Sequence, residues 1–310
     1  MAEIWTMGEL LVEIMRPRAG MPLHTTGPFL GPFPSGAPAI FIDTAARLGH
    51  AAGMIGAVGE DDFGRCLLQR LGADGVDVRF IERRPQGATA AAFVTYFDDG
   101  SRQFIFHIDG TPAVQARFAE QAAAGQPAFF HVMGCSLMAN DAFRDEIFAA
   151  VERFHAAGAR ISFDPNLRPE LLGGRDLMAV VGPVLRHTSV LLPGEGELRL
   201  LSGETEVSGA VGKLFGSPAL ELIVLKRGQA GARIYSRSEV IDTPAYPVQE
   251  VDPTGAGDCF DAGFVCGLLE GRALDVCGKM ASAAGALNAA AFGPMEGKIS
   301  RETVWAMIGG

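Results

Sequence analysis

The sequence predicts an α/β fold: a mostly parallel sheet flanked by helices, with a small antiparallel β lid. Three observations point that way. Short apolar runs alternate with amphipathic helical stretches from end to end, the order of a βαβ protein. The runs are mostly continuous rather than alternating, as expected for strands covered on both faces. Two segments break the rhythm: residues 15–34, rich in Pro and Gly, and residues 90–107, which read as two strands around the turn Asp98-Asp99-Gly100.

Taken in order, residues 4–11 read as the first strand and 39–48 as the first helix. Strand 52–58 and helix 63–71 follow, then the lid pair. Strand 128–133 leads into helix 141–157, strand 160–164 into helix 177–186, and strand 189–192 into helix 195–201. Strand 222–226 is the last one expected. Residues 12–34 and 90–108 are assigned to a discontinuous lid, and the whole chain, 1–310, to a single domain. The lid would expose strand edges, and residues 90–97 are too apolar to face water on both sides, so a homodimer clasped lid to lid is expected.

Composition removes several classes of function. The 26 Lys and Arg against 36 Asp and Glu leave a net charge of −10, unlike a protein that grips nucleic acid through clustered cations. Hydrophobic residues at 48% and charged ones at 20% exclude extended disorder. Glu3, Glu9 and Glu13 in the first fifteen residues argue against an export signal. The most apolar late segment, 280–292, is shorter than the roughly 20 residues of a membrane helix. Cys66, Cys135, Cys259, Cys266 and Cys277 are odd in number and lack a C-x-x-C pair, which fits free thiols in a reducing cytoplasm. The six histidines are dispersed, with no H-E-x-x-H. Glycine, 40 of 310, is about 13% against roughly 7% in ordinary chains, and calls for tight turns or a backbone approached by a ligand.

One stretch carries chemistry: Asp252-Pro-Thr-Gly-Ala-Gly-Asp258-Cys-Phe-Asp261-Ala-Gly-Phe264. A glycine-rich turn runs straight into a helix, on which Phe260, Gly263, Phe264, Gly267 and Leu268 share one face. The first amides of a helix lack intrahelical acceptors and carry its positive dipole end, so such a turn suits a phosphoryl group. Asp258 sits in the first turn, where a carboxylate serves either as an N-terminal cap or as a group aimed at the phosphate's acceptor.

The full string resembles the C-terminal signature of the ribokinase-like (PfkB) family of sugar kinases, D-[PT]-x-G-A-G-D followed by F-x-A-G-F. The resemblance implies that Asp258 is the catalytic base and that Gly255, Ala256 and Gly257 form the anion hole. Other motifs extend it over nearly the whole chain. Met7-Gly8-Glu9 is similar to the family's opening strand end, and the acidic sugar ligand that follows there falls to Glu13. Ser35-Gly36-Ala37-Pro38-Ala39 resembles the first signature, G-G-x-x-x-N, with Gly36 and Ala37 on the sugar side. Gly59 to Gly64 resembles G-x-D-x-x-G. Asp164-Pro165-Asn166-Leu167-Arg168-Pro169 resembles the D-P-N-x-R of the fructokinase and 2-keto-3-deoxygluconate kinase branches and implies sugar contacts at Asn166 and Arg168. Gly194-Glu195-Gly196-Glu197 stands where N-x-x-E is usual, so Glu197 inherits a water-mediated hold on Mg²⁺. Lys226, Gly228 and Gly231 resemble the nucleotide-side loop, and Asn288 falls on the helix that flanks adenine, as a base contact or as ordinary packing. Asp252 and Thr254 stand where relatives place monovalent-cation ligands, and the same residue types suit a plain turn.

Two departures bear on the substrate: Ile40 replaces the asparagine of G-G-x-x-x-N, and Gly194 that of N-x-x-E. Asp62-Phe63-Gly64 spells a protein-kinase triplet without its H-R-D or glycine-rich partners, and turn chemistry explains it. No Walker loop or dinucleotide fingerprint is present.

The expected function is ATP- and Mg²⁺-dependent phosphorylation of a small sugar's hydroxyl, with K⁺ activation open. A 2-keto-3-deoxygluconate kinase is expected to carry a lid arginine for the acid's carboxylate, and the matching position is read as Ile108. His107 beside it either donates to a hydroxyl or packs. A neutral ketohexose such as fructose or tagatose is therefore favoured over the sugar acid. A nucleoside kinase and a non-catalytic sugar or nucleotide sensor are the remaining alternatives.

Overall fold

The computed structural model describes residues 2–168 and 172–309; Pro169 of the D-P-N-x-R segment lies outside them. Thirteen strands are described: β1 (Ile4–Met7), β2 (Leu11–Met15), β3 (Leu30–Ser35), β4 (Ala52–Gly59), β5 (Asp77–Arg84), β6 (Ala90–Tyr96), β7 (Arg102–His107), β8 (Phe129–Met133), β9 (Arg160–Asp164), β10 (Thr188–Leu191), β11 (Leu222–Lys226), β12 (Ala232–Tyr235) and β13 (Val240–Thr243). Nine form the main sheet in the order β13-β12-β11-β10-β9-β8-β1-β4-β5. Its seven strands from β11 to β5 are parallel, and β12 and β13 run antiparallel at one edge. Two buried apolar clusters cover its faces, and alternate residues of β4 divide between them: Met54 and Val58 in one, Ile55 and Ala57 in the other. The expected α/β architecture is present.

The remaining strands form the lid, in the order β3-β2-β6-β7. Its two outer pairings are antiparallel, as expected; the central one, β2 with β6, is parallel. Register sorts its side chains. Leu11, Glu13, Ala92, Val94, Tyr96, Phe104 and Phe106 share the inner face, while Ile14, Phe93, Ile105 and His107 share the outer one. Because β6 is paired on both sides, the apolar stretch 90–96 is an interior strand, and the lid's edges are β3 and β7.

Three differences from the expected elements have local causes. Residues 4–11 are two strands in two sheets, because the chain turns at Gly8 against Pro38. A Cβ on Gly8 would lie 2.2 Å from Pro38 Cγ and 2.8 Å from Ser136 Oγ, so only glycine passes there. Strand β5 lies outside the expected elements: as an edge strand bearing Arg79, Glu82, Arg83 and Arg84, it carries little apolar signal. The β12–β13 hairpin, with four residues per strand, is too short for a pattern to register. Asp62-Phe63-Gly64 form the first turn of helix Asp62–Ala73 rather than a turn before it, and Asp61 caps that helix by accepting from Gly64 N at 2.8 Å. No described helix is long and apolar enough to cross a membrane.

Candidate active site

Strands β1, β9 and β11 deliver their carboxyl ends to one place, the usual crevice of an open α/β sheet. There the inner face of the lid and the start of helix Ala256–Leu269 enclose two adjoining cavities. The first, about 220 Å³, lies under the lid and is lined by Glu9, Glu13, Gly36, Ala37, Asn166, Arg168, Glu197 and Asp258, among others. The second, about 290 Å³, is lined by Gly228, Gly231, Tyr246, Ala256, Ser282 and Gly285, among others. Lys226, Pro253 and Gly257 face both. A group held at Gly257 is therefore reachable from either side.

The helix start is shaped by Gly255, whose φ of 77° places it in the left-handed region and whose Cβ would lie 2.6 Å from Pro294 O. Ala256 N donates to Pro253 O at 3.2 Å, so of the three expected anion-hole residues it is the amides of Gly255 and Gly257 that are not already spoken for among the described residues. Asp258 follows in the first turn, 8% exposed. Burial raises its carboxyl to about 7, the charge of Asp164 adds to that, and Lys226 and Arg168 oppose it. Asn166 Nδ2 donates to Asp258 Oδ1 at 3.4 Å, and Asn166 is itself set by its N–H donating to Asp164 Oδ1 at 3.0 Å.

Behind Asp258 lies a compensated charge cluster. Lys226 Nζ donates to Asp164 Oδ2 at 2.7 Å and to both Asp261 oxygens at 3.2 Å. Burial works against the ammonium, but Asp164 and Asp261 outweigh it and hold Lys226 charged. Burial likewise works against a charged Asp164, and Lys226 reverses it, holding that carboxyl below its ordinary range. Glu197 accepts from Leu167 N and Gly194 N, both at 2.8 Å, so Gly194 still caps helix Glu195–Ser202 through its backbone. Each oxygen of Glu197 keeps a lone pair for a metal-bound water, and Asp164 lines the same wall. These donors fit Mg²⁺ held through water.

Under the lid, Ser35 Oγ donates to Glu13 Oε1 at 2.6 Å, while Glu13 Oε2 is buried without a partner among the described residues. Burial raises Glu13 to about 7. Glu9, which the motif comparison passed over, also faces this cavity; it accepts from Ser136 Oγ and from Cys135 Sγ, and burial raises its carboxyl. Arg102, Phe104 and Phe106 face the same cavity from β7. Two-residue alternation along β7 was the signal for them. It also corrects His107, which has the wrong parity and lies on the lid's outer face, its ring edge-on to Phe93 at 5.8 Å. Ile108 does face the cavity, and Ile40 makes an apolar wall beside Gly255.

Asn288 reaches neither cavity. It is fully buried, and its Nδ2 donates to Thr254 O at 2.7 Å, pinning the loop before the anion hole. The polar group that faces the second cavity from the same helix, Leu274–Ala289, is Ser282, whose buried Oγ has no partner among the described residues. Asp252 builds the turn: Oδ1 accepts from Thr254 N at 2.9 Å and from Tyr96 Oη at 2.6 Å, and Oδ2 from Gly293 N at 3.0 Å. Asp252 Oδ2 and Thr254 O each keep one lone pair, which suits a monovalent cation.

The chain is similar to several known kinases. Fructokinase from Salmonella typhimurium is 33% identical over 305 residues, 95% of this chain and 95% of that protein. The fold superposes with a TM-score of 0.94 on a candidate ribokinase II from E. coli in complex with ATP and Mg²⁺, 39% identical, over 100% of this chain and 99% of that one. A fructokinase double mutant from Vibrio cholerae, bound to fructose, ADP and potassium ion, is 25% identical with a TM-score of 0.84, over 99% and 98%. Residues 4–300 match the family model of the pfkB family carbohydrate kinases, and the chain belongs to that family.

Proposed function

We propose that this carbohydrate kinase transfers the γ-phosphoryl group of ATP to a hydroxyl of a neutral ketohexose, with Asp258 as the base. The observation that carries the reading is the pair of cavities meeting at Gly257. One is rich in buried carboxylates that accept from hydroxyls, and the other is built on glycine and alanine backbone that a nucleotide can approach. A sugar hydroxyl in the first cavity would lie between Asp258 and the phosphoryl group held at Gly255 and Gly257.

In this mechanism the chain's own groups position and neutralise; no covalent intermediate on the protein is required. Asp258, ionised above about pH 7, takes the hydroxyl proton as the new P–O bond forms. The Gly255 and Gly257 amides and the helix dipole stabilise charge on the transferring group. Lys226 keeps Asp164 and Asp261 from adding uncompensated charge beside it. Mg²⁺, held through water by Glu197 and Asp164, would supply further neutralisation of the phosphates. K⁺ beside Asp252 and Thr254 would stiffen the turn. The closed lid excludes water, which otherwise competes as acceptor.

Glu9, Glu13 and Asp258 make the sugar cavity unfavourable to a second anion, which supports a neutral sugar over 2-keto-3-deoxygluconate despite Arg102 and Arg168 in its wall. The fructokinase relatives support the same choice, and the ribokinase-like neighbour adds ribose to the panel worth testing. ADP release measured over fructose, tagatose, ribose, the keto-deoxy acid and nucleosides tests the reading; kcat/KM is expected to be highest for a ketohexose. A tenfold advantage for the acid would overturn it.

The chain 1–310 is read as one α/β unit with its lid in 12–34 and 90–108. Phe29, Leu30 and Ile105 are exposed on the lid, which supports a lid-to-lid homodimer that light scattering at micromolar concentration tests. The five free cysteines, four of them buried, support a reducing cytoplasm as its compartment.

A further inference from the structure

The lid's inner face ends in Tyr96, the last residue of β6. Its hydroxyl donates to Asp252 Oδ1 at 2.6 Å and is hydrogen-bonded to Thr254 Oγ1. If Tyr96 gives its proton to Asp252, Thr254 gives its own to Tyr96, so every polar atom in the trio is satisfied. Asp252 is fully buried, and of its three donors only Tyr96 comes from the lid. The residues it holds lead directly into Gly255 and Gly257.

Position gives this contact leverage. The lid is attached to the body at the Leu11–Ala90 end, and Tyr96 lies six residues further along its strand, roughly 20 Å away at the rise of an extended chain. The β2–β3 connection is tied to the same end: Gly20 N donates to Tyr96 O at 2.9 Å and Thr95 Oγ1 to Met21 O at 2.7 Å. A second lid-to-body contact, Phe33 edge-on to Phe292 at 5.7 Å, is apolar and undirected, so it holds the lid down without fixing its register.

We propose that Tyr96 is a positioning residue whose hydroxyl latches the far end of the lid onto the loop that leads into the anion hole. Closure over the sugar and placement of the Gly255 and Gly257 amides are thereby set together. The latch rests on the reading of the first cavity as the sugar site. Its consequence is that a loosened latch affects sugar retention and water exclusion before it affects nucleotide binding.

Tyr96→Phe in the full chain keeps the ring and removes only the hydroxyl. Amide hydrogen exchange in residues 90–108 of the sugar-free protein is expected to quicken by about two- to tenfold, the net worth of one hydrogen bond. The sugar KM is expected to rise by a similar factor, ATP KM to change less than twofold, and more ATP to be lost to water per sugar phosphate formed. Unchanged exchange in 90–108 would remove the latch whatever the substrate proves to be. Faster exchange with unchanged sugar KM and unchanged coupling would remove its role in catalysis, and an ATP KM that rises in step with that of the sugar would overturn the order of effects, lid before anion hole.

Discussion

Around the sugar cavity, Glu9, Glu13, Asp164 and Asp258 bring four carboxylates beneath the lid, each almost entirely buried. Around the adjoining nucleotide cavity, Gly228, Gly231, Ala256, Gly257, Gly285 and Ala286 present mostly backbone, with Arg227, Tyr246, Glu250 and Ser282 among them. The first cavity recognises through ionisable side chains, so its performance depends on their charge and shape. The second recognises through peptide groups and volume: a Cβ on Gly231 would lie 2.1 Å from Thr243 O, and one on Gly285 would lie 2.9 Å from Ala256 O. One chain thus places a site walled by buried carboxylates against one walled largely by backbone, joined at Gly257.

The largest effect that would break this comparison is at Asp258. Asp258→Asn keeps the shape and removes the base, so kcat is expected to fall by on the order of 10²–10⁴ while ATP KM stays within twofold. Steady-state kinetics with ATP and sugar varied separately check it. Near-wild-type kcat would remove Asp258 from the mechanism, and an ATP KM that rises severalfold would show that the two sites are not separable.

The next effect is on pH. Burial raises Asp258 and Glu13 to about 7. As the base must be ionised, kcat/KM for the sugar should rise about tenfold per pH unit below 7 and level off above it. Stability runs the other way. A carboxyl whose folded value is raised contributes stability that is fully present below its unfolded value, near 4, and is lost as pH rises through about 7. The melting temperature should therefore fall between pH 5.5 and 8 while activity rises, and Asp258→Asn should melt a few degrees above the wild type at pH 8. Scanning calorimetry across that window checks the sign; a wild-type melting temperature that climbs with pH would contradict it.

The same contrast explains what was legible in the sequence. The glycine-rich turn with Asp258 in the helix's first turn was legible in the residues themselves, whereas Gly36, Asn166 and Glu13 were indicated only by resemblance to family motifs; the structure brings all of them to one cavity. The buried parallel strands were readable from continuous apolar runs. What escaped depends on contacts between distant segments. Nothing local marks Lys226 as the partner of Asp164 and Asp261, residues 62 and 35 positions away. Tyr96 meets Asp252 across 156 residues. Gly8 looks like one small residue in an apolar run until Pro38 is packed against it. His107 was misplaced by a single position of strand parity, which turns a side chain to the opposite face.

The smallest effect tests the nucleotide side. Ser282 and Arg227 both bring an unsatisfied side-chain atom to that wall, and Ser282 is the uncharged one: its Oγ, like Arg227 Nε, is buried and without a partner among the described residues. A buried hydroxyl left unpaired is costly, so a bound nucleotide that bonds it recovers that cost. A hydroxyl both donates and accepts, and so it adds affinity while discriminating weakly between bases. Ser282→Ala should raise ATP KM by about two- to tenfold, leave kcat and sugar KM unchanged, and leave any preference for ATP over GTP nearly unchanged. The nucleotide-free variant should melt no lower than the nucleotide-free wild type, since alanine is the better helix former and a buried unpaired oxygen is gone. If sugar KM shifts instead, Ser282 acts through helix packing on the shared Gly257 turn, and the nucleotide cavity owes its affinity to backbone alone.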